Sequence, residues 1–197
     1  MVSATSTPRA DPALPATVTR SAKLVVAGPL GVGKTTFIGS ISEIPPLRTE
    51  EPMTRAGEAV DDLTLTPDKR ETTVAMDFGR LRLSSSLVLY LFGAPGQQRF
   101  HYLWPTLTTG AIGALLVVDT RRLDLAFDTL TRLEDDGLKF CVAVNRFPDS
   151  PQVPDEEVRE ALDLPAEVPL VTCDARRPED CRRALITLVQ HVHSELT

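Results

Sequence analysis

The stretch Gly28-Pro29-Leu30-Gly31-Val32-Gly33-Lys34-Thr35 constrains this chain more than any other. It lies between an apolar run, Leu24-Val25-Val26-Ala27, and a segment able to continue as a helix, Thr36-Phe37-Ile38-Gly39-Ser40-Ile41. Glycines at this spacing let the backbone curl so that successive N–H groups point inward, a shape that cradles phosphate oxygens. Lys34 adds a point charge for β- and γ-phosphates, and Thr35 offers a hydroxyl to Mg²⁺. A helix beginning at the end of the loop adds unpaired N–H groups and a partial positive charge. The residues offered to a polyphosphate are therefore Gly28, Leu30, Gly31, Val32, Gly33, Lys34, Thr35 and Thr36. A strand before the loop and a helix after it imply an α/β fold.

The 197 residues, 42% of them hydrophobic, suffice to close the core of one domain. Residues 21–197 are expected to form it. Residues 1–20, rich in Ala, Pro, Thr and Ser, read as a disordered leader without an apolar run long enough for a signal or membrane segment. A net charge of −6 argues against a general binder of nucleic-acid backbones. The local cluster Arg176, Arg177, Arg182 and Arg183 reads as a solvated helix face. Cys141, Cys173 and Cys181 are odd in number and lack C-x-x-C spacing, as expected of reduced thiols in a cytoplasmic protein. Val2 and the ending Ser194-Glu195-Leu196-Thr197 carry neither a myristoylation start nor a prenylation box, so any membrane recruitment is expected to use a partner.

Apolar periodicity predicts strands over Lys23 to Ala27, Val74 to Leu83, Leu87 to Phe92, Ile112 to Asp119, Leu138 to Val144 and Val168 to Thr172. Helices are predicted over Lys34 to Ser42, Arg99 to Leu107, Asp124 to Asp135, Pro154 to Leu162 and Pro178 to Leu196. Phe127, Leu130 and Leu133 would face the sheet from the third helix, and Leu185, Leu188, Val189 and Val192 from the last. Strands apolar throughout and alternating with helices imply a three-layer sandwich around a mostly parallel six-stranded sheet. Ser84-Ser85-Ser86 is too short for a crossover, so the strands it joins must be antiparallel, giving one antiparallel edge strand. Pro45 to Arg70 shows no strong periodicity and reads as a long functional or disordered loop.

With this order of elements, the motifs resemble those of the Ras-like small GTPases, more closely the bacterial MglA-type branch and the conservon-encoded GTPases of actinobacteria. The resemblance runs from about Ala22 to the C-terminus. It implies a P-loop GTPase fold, GTP and GDP as ligands with Mg²⁺, and hydrolysis of GTP to GDP and phosphate. Thr73-Val74-Ala75-Met76-Asp77-Phe78 resembles the first switch, with Thr73, or alternatively Thr72, as the threonine that contacts Mg²⁺ and the γ-phosphate. Lys34, Thr73 and Gln97 are then the catalytic candidates, and Thr35 and Thr73 the metal ligands.

Leu89-Tyr90-Leu91-Phe92-Gly93-Ala94-Pro95-Gly96-Gln97 resembles the strand and second switch that usually end Asp-x-x-Gly-Gln. Gly93 stands where the aspartate would be, and Asp77 on the neighbouring strand is either its substitute or a solvated carboxylate. The MglA-type branch tolerates a non-acidic residue and a proline in this stretch. Gly96 would give its N–H to the γ-phosphate, and Gln97, or Gln98 beside it, would orient the attacking water. Leu30 replaces a glycine of Ras and crowds the γ-phosphate, so unaided hydrolysis is expected to be slow. An arginine supplied by a partner or in cis accelerates such reactions by about 10³ to 10⁵. Arg70 and Arg99 flank the switches and are either that arginine or ordinary surface residues.

Val142-Ala143-Val144-Asn145-Arg146-Phe147-Pro148-Asp149 resembles the base-recognition motif Asn-Lys-x-Asp. Asn145 matches, Arg146 replaces lysine, and Pro148 takes the aspartate's place with Asp149 one residue late. Cys173, Asp174 and Ala175 follow the last strand where the family's final loop meets the base. His101-Tyr102-Leu103-Trp104-Pro105 brings two aromatics after the second switch, to be either effector surface or core. Asp119 reads as a helix cap, and His191 and His193 as packed or solvated rather than metal-binding. The resemblance further implies a roadblock/LC7-type regulator as partner and, from the conservon context, a sensor-kinase-like protein at the membrane. Two other readings stay beside the switch: a kinase sharing the loop, for which no arginine-rich lid is seen, and a nucleotide-binding scaffold that has lost hydrolysis.

Overall fold

The computed structural model describes residues 14–45, 47–52 and 71–194. The phosphate-loop motif sits directly after β1 (Arg20–Ala27) and opens α1 (Lys34–Ile41). Then follow β2 (Leu47–Pro52), β3 (Glu71–Arg82), β4 (Leu87–Gly93), α2 (Trp104–Thr108), β5 (Ala111–Val118), α3 (Phe127–Asp135), β6 (Phe140–Asn145), α4 (Asp155–Ala161), β7 (Leu170–Cys173) and α5 (Pro178–Ser194). The sheet order is β2-β3-β4-β1-β5-β6-β7. β1 is parallel to β4 and β5, β5 to β6, and β6 to β7, whereas β3 runs antiparallel to β4. The expected six strands, with their antiparallel member, are all present, but that member, β3, is not at the edge as expected, because β2 lies outside it.

A seventh strand joins them. Leu47–Pro52, within the stretch expected to be a loop, pairs antiparallel with β3 from Glu71 to Phe78. β4 reaches only Asp77 to Arg82 of the twelve-residue β3, so the leading half of β3 needs other partners for its backbone, and β2 supplies them. Hydrophobic alternation is too weak in Leu-Arg-Thr-Glu-Glu-Pro to announce such a strand. In the β3–β4 turn, Ser84 Oγ accepts from the N–H groups of Ser86 and Leu87 at 3.2 and 3.1 Å, which closes the hairpin over its serines. At the other end, the N–H groups of Thr19 and Arg20 both donate to Ser86 O, tying the chain down one residue before the expected domain start. Residues 1–13 of the expected leader lie outside the described residues.

Side chains of β5 alternate between two cores. Leu115 and Val117 face α1 and α5 with Phe37, Ile38, Leu185 and Leu188. Ala114, Leu116 and Val118 face α2, α3 and α4 with Leu107, Leu130, Leu133 and Val158. β6 is buried along its whole length, as a strand covered on both faces must be.

Two helices depart from expectation. The predicted helix over Arg99 to Leu107 is a 3₁₀ turn, Gln98–Leu103, running into α2. Pro105 has no N–H to return to the carbonyl of His101, so the α-type ladder cannot cross this point. Phe127, expected on the sheet, is 44% exposed. A 3₁₀ turn, Leu123–Ala126, precedes α3 and makes Ala126 the first buried position, so the apolar stripe is Ala126, Leu130 and Leu133. The two aromatics of the stretch His101 to Pro105 divide: Trp104 is core, its Nε1–H donating to Asp136 at 2.7 Å, whereas Tyr102 is 71% exposed.

Candidate functional site

The carboxyl ends of β1, β4, β5, β6 and β7, together with Asp77 from the antiparallel β3, meet at one edge of the sheet, where α/β folds place their ligands. The loop after β1 takes positive φ at Gly28, Gly31 and Gly33, of 135°, 83° and 101°. These left-handed turns are cheap only for glycine, and they aim the intervening N–H groups into the concavity. A methyl group on Gly33 would also lie 2.5 Å from Asn145 Nδ2. Lys34 is 8% exposed and its ammonium donates to Gly28 O and Pro29 O at 2.7 and 2.6 Å, so the charge lies against the loop it serves. Thr36 follows on the exposed side of α1.

Thr35 Oγ1–H donates to Asp77 Oδ2 at 2.6 Å. Asp77 is 2% exposed and its other oxygen, Oδ1, is buried without a hydrogen-bond partner. Asp77 stands directly opposite Gly93 in the β3–β4 register. A side chain at position 93 would meet Asp77 Cβ and Ile38 Cδ1, each at 3.0 Å. The carboxylate of β3 thus reaches the loop threonine from across the sheet, and the glycine at position 93 makes the room. A buried, unsatisfied carboxylate oxygen beside the loop threonine is a fitting donor set for a hard divalent cation, so Thr35 and Asp77 are the residues that would hold Mg²⁺. Thr73 lies in β3 opposite Glu50, but its side chain is outside the described residues, as are the side chains of Thr72 and Gln98 and all of Arg70.

The segment that follows β4 approaches the phosphate loop closely. A methyl group on Gly96 would fall 2.5 Å from both Pro29 C and Leu30 N and 2.8 Å from Lys34 Nζ, a proximity that only glycine permits. Gln97 is 2% exposed and its Oε1 accepts from Arg99 Nε at 3.1 Å. Its amide is therefore seated in protein, with Arg99, one of the two flanking arginines, as its partner. Further along, His101 Nδ1 lies 2.7 Å from Arg132 Nη2 and Nε2 lies 3.4 Å from Asp128 on α3. Arg132 can only donate, so Nδ1 is the acceptor and Nε2 carries the hydrogen. Burial, with Arg132 adding to it and Asp128 opposing, holds His101 below its ordinary value.

On the opposite flank, Asn145 joins two loops. Its Nδ2 donates to Val32 O and its Oδ1 accepts from Ala175 N–H, both at 2.9 Å. Arg146 N–H donates to Cys173 O at 2.8 Å, extending the β6–β7 pairing. Asp174 is forked by Arg176, through Nε at 2.9 Å and Nη2 at 2.7 Å, and this partner lowers its carboxyl to about 2. The structure thus assembles Gly28, Leu30, Gly31, Val32, Gly33, Lys34, Thr35, Asn145, Arg146, Cys173 and Ala175 around one edge. Asp149 is engaged elsewhere: Arg121 Nη1 donates to its two oxygens at 2.8 and 2.7 Å. Asp119, expected as a helix cap, accepts instead from the N–H and guanidinium of Arg121. Sequence reasoning passed over Arg121. The available signal was opposite charge at the ends of successive strands, Asp119-Thr120-Arg121 after β5 and Phe147-Pro148-Asp149 after β6.

Arg183 pairs with Asp180 on the exposed face of α5, as expected, whereas Arg176 and Arg177 lie in the loop before that helix and pair with Asp174. Cys141, Cys173 and Cys181 are buried free thiols, each pushed up to about 12 chiefly by burial. Among the described residues no group of three or more His, Cys, Asp and Glu is assembled for a metal, and no helix is long and apolar enough to cross a membrane.

The G domain of the FeoB iron transporter of T. maritima superimposes on this chain with a TM-score of 0.57, covering 87% of this chain and 98% of that one. At 16% identity the likeness is one of fold, that of a G-domain P-loop NTPase. No curated protein matches the chain. Residues 26–148, which run from β1 to the loop after β6, match the family described as conserved hypothetical ATP binding protein; the match spans more than half of the chain, which belongs to that family.

Proposed function

We propose that this protein is a nucleotide-dependent switch that binds GTP with Mg²⁺ and hydrolyses it slowly to GDP and phosphate, after the manner of the MglA-type and conservon-encoded GTPases. The observation that carries the reading is the pairing of Thr35 with Asp77 beside Lys34: a phosphate loop with its cation-side carboxylate rebuilt on the next strand. A bare anion site would have no use for a buried, half-satisfied carboxylate there.

In this reading the loop N–H groups and Lys34 hold the β- and γ-phosphate oxygens. Mg²⁺, when bound, would neutralise charge developing on the transferred phosphoryl group. Gly96 N–H would meet the γ-phosphate from the second switch, so loss of that group would release the segment. Gln97 must leave its buried seat and the Arg99 hydrogen bond to orient water, and this is a physical reason for slow turnover without a partner. A roadblock/LC7-type regulator acting at the second switch is the partner we propose, with a sensor-kinase-like membrane protein upstream.

The seated Gln97 also favours a second reading, a nucleotide-binding scaffold with little hydrolysis. Titration with fluorescent GTP, GDP, ATP and ADP in Mg²⁺, followed by phosphate-release assays on the wild type and Lys34→Ala, tests both. Micromolar-or-better nucleotide binding that Lys34→Ala abolishes, with slow Lys34-dependent phosphate release, is the expected result. Binding without any release, even with a candidate regulator added, would leave only the scaffold. No binding of any of the four would end both readings.

A further inference from the structure

Asp149 and Arg121 form the best-defined polar arrangement near the base-binding edge. Arg121 Nη1 sits between the two oxygens of Asp149, 2.8 and 2.7 Å away. Its Nε and Nη2 meanwhile donate to Asp119, at 3.0 Å to each oxygen and at 2.5 Å to Oδ2. The guanidinium carbon lies 4.1 Å from the centroid of Phe147. Phe147 is itself fixed, because its N–H donates to Ser150 Oγ and its carbonyl accepts from Ser150 N–H, both at 3.1 Å. The side chains of Arg121 and Asp119 are 13% and 4% exposed, so the clamp is anchored in the molecule and only its Asp149 end, at 67%, faces solvent.

We infer that Arg121 is a positioning residue that sets base specificity: it ties Asp149 to the end of β5 and withholds it from the nucleobase, so the site accepts a purine without carboxylate readout. This rests on the nucleotide-binding reading above. A carboxylate reads guanine by accepting N1–H and the exocyclic amine on the face shared by its two oxygens, and that is the face Nη1 occupies. Exchanging a guanidinium for two neutral N–H groups replaces a charge-assisted contact with weaker ones. Asn145 cannot draw the loop back, because both ends of its amide are committed to Val32 and Ala175. Pro148, between the two, has no N–H to offer.

The test is a set of dissociation constants for GDP, xanthosine diphosphate and ADP, measured by titration in Mg²⁺ on the wild type, Asp149→Asn and Arg121→Gln. An amide at a base-reading position exchanges donor and acceptor and turns the preference toward xanthine. Sites built to hydrogen-bond a polar substituent reject the analogue lacking it by about 10⁴ to 10⁵. Here the wild type is expected to prefer GDP over ADP by less than about tenfold, with Asp149→Asn moving the GDP-to-xanthosine-diphosphate ratio by less than the same factor. Arg121→Gln frees the carboxylate and is expected to raise the GDP preference over ADP by at least about tenfold. A shift of about 100-fold toward xanthosine diphosphate in Asp149→Asn, or an unchanged base preference in Arg121→Gln, overturns the assignment while leaving nucleotide binding intact. A wild type that binds none of the three ends the nucleotide reading, and this inference with it.

Discussion

Asp77 and Gly93 face each other across the β3–β4 pairing, and the missing side chain at one leaves room for the carboxylate of the other. A carboxylate buried to 2% exposure with one free oxygen is costly unless something bound repays it. Asp77→Asn should therefore leave the fold intact while weakening the Mg²⁺ dependence of nucleotide affinity by about 10- to 100-fold, measured by titrating Mg²⁺ at fixed nucleotide. An aspartate introduced at position 93 alone should harm the protein. Gly93→Asp places a side chain 3.0 Å from Asp77 Cβ and Ile38 Cδ1, and the expected loss is about 1–3 kcal/mol in denaturant unfolding. Combined with Asp77→Gly, which removes the Cβ that the new side chain meets, the same substitution should be better tolerated and recover part of the Mg²⁺ effect, a coupling that a double-mutant cycle reads directly.

Between elements, two contacts hold the loops of the site in place. Asn145 spans from the end of β6 to the phosphate loop and to the loop before α5, and is 4% exposed. Asn145→Ala leaves Val32 O and Ala175 N–H buried and unpaired, at about 1–3 kcal/mol for each. A lowered unfolding midpoint and weaker binding of every nucleotide, whatever its base, are the expected result. His101 fastens the 3₁₀ turn after β4 to Arg132 and Asp128 of α3. Its folded-state value lies below the ordinary 6.5, so the unfolded chain takes up a proton first as the pH falls. The stability held in the neutral ring is present above pH 6.5 and lost as the pH falls through the folded-state value. Thermal midpoints measured against pH should decline below 6.5 in the wild type, and His101→Gln should flatten that decline.

For the molecule as a whole, stability comes from two cores separated by the sheet. Phe37 is fully buried on one side and Leu133 on the other. Phe37→Ala should cost about 3–5 kcal/mol and Leu133→Ala about 2–5 kcal/mol. Lying on opposite faces, they share no partner, and the double variant should be additive within about 0.5 kcal/mol in denaturant unfolding.

The phosphate loop, the order of strands and helices and the antiparallel pairing of β3 with β4 were legible in the sequence, because each rests on local chemistry: glycine spacing, apolar period, and a connection too short to cross over. Residues 138–144 announced a buried strand for the same reason, and the structure extends it to Asn145. The strand Leu47–Pro52 was not legible, since its cause is the unpaired half of β3 and not its own composition. Nor was the burial of Ala126 in place of Phe127, which follows from where a 3₁₀ turn gives way to an α-helix. Above all, the partners of the carboxylates escaped linear reading. Asp77 meets Thr35 across 42 positions and Asp149 meets Arg121 across 28, because the sheet brings their strand ends together. The sequence by itself determined which chemical groups this protein carries and what kind of loop displays them. Only the tertiary structure decided which acid stands beside the loop threonine and which is neutralised by an arginine, because charge pairing depends on distance in space and chain separation says nothing about it.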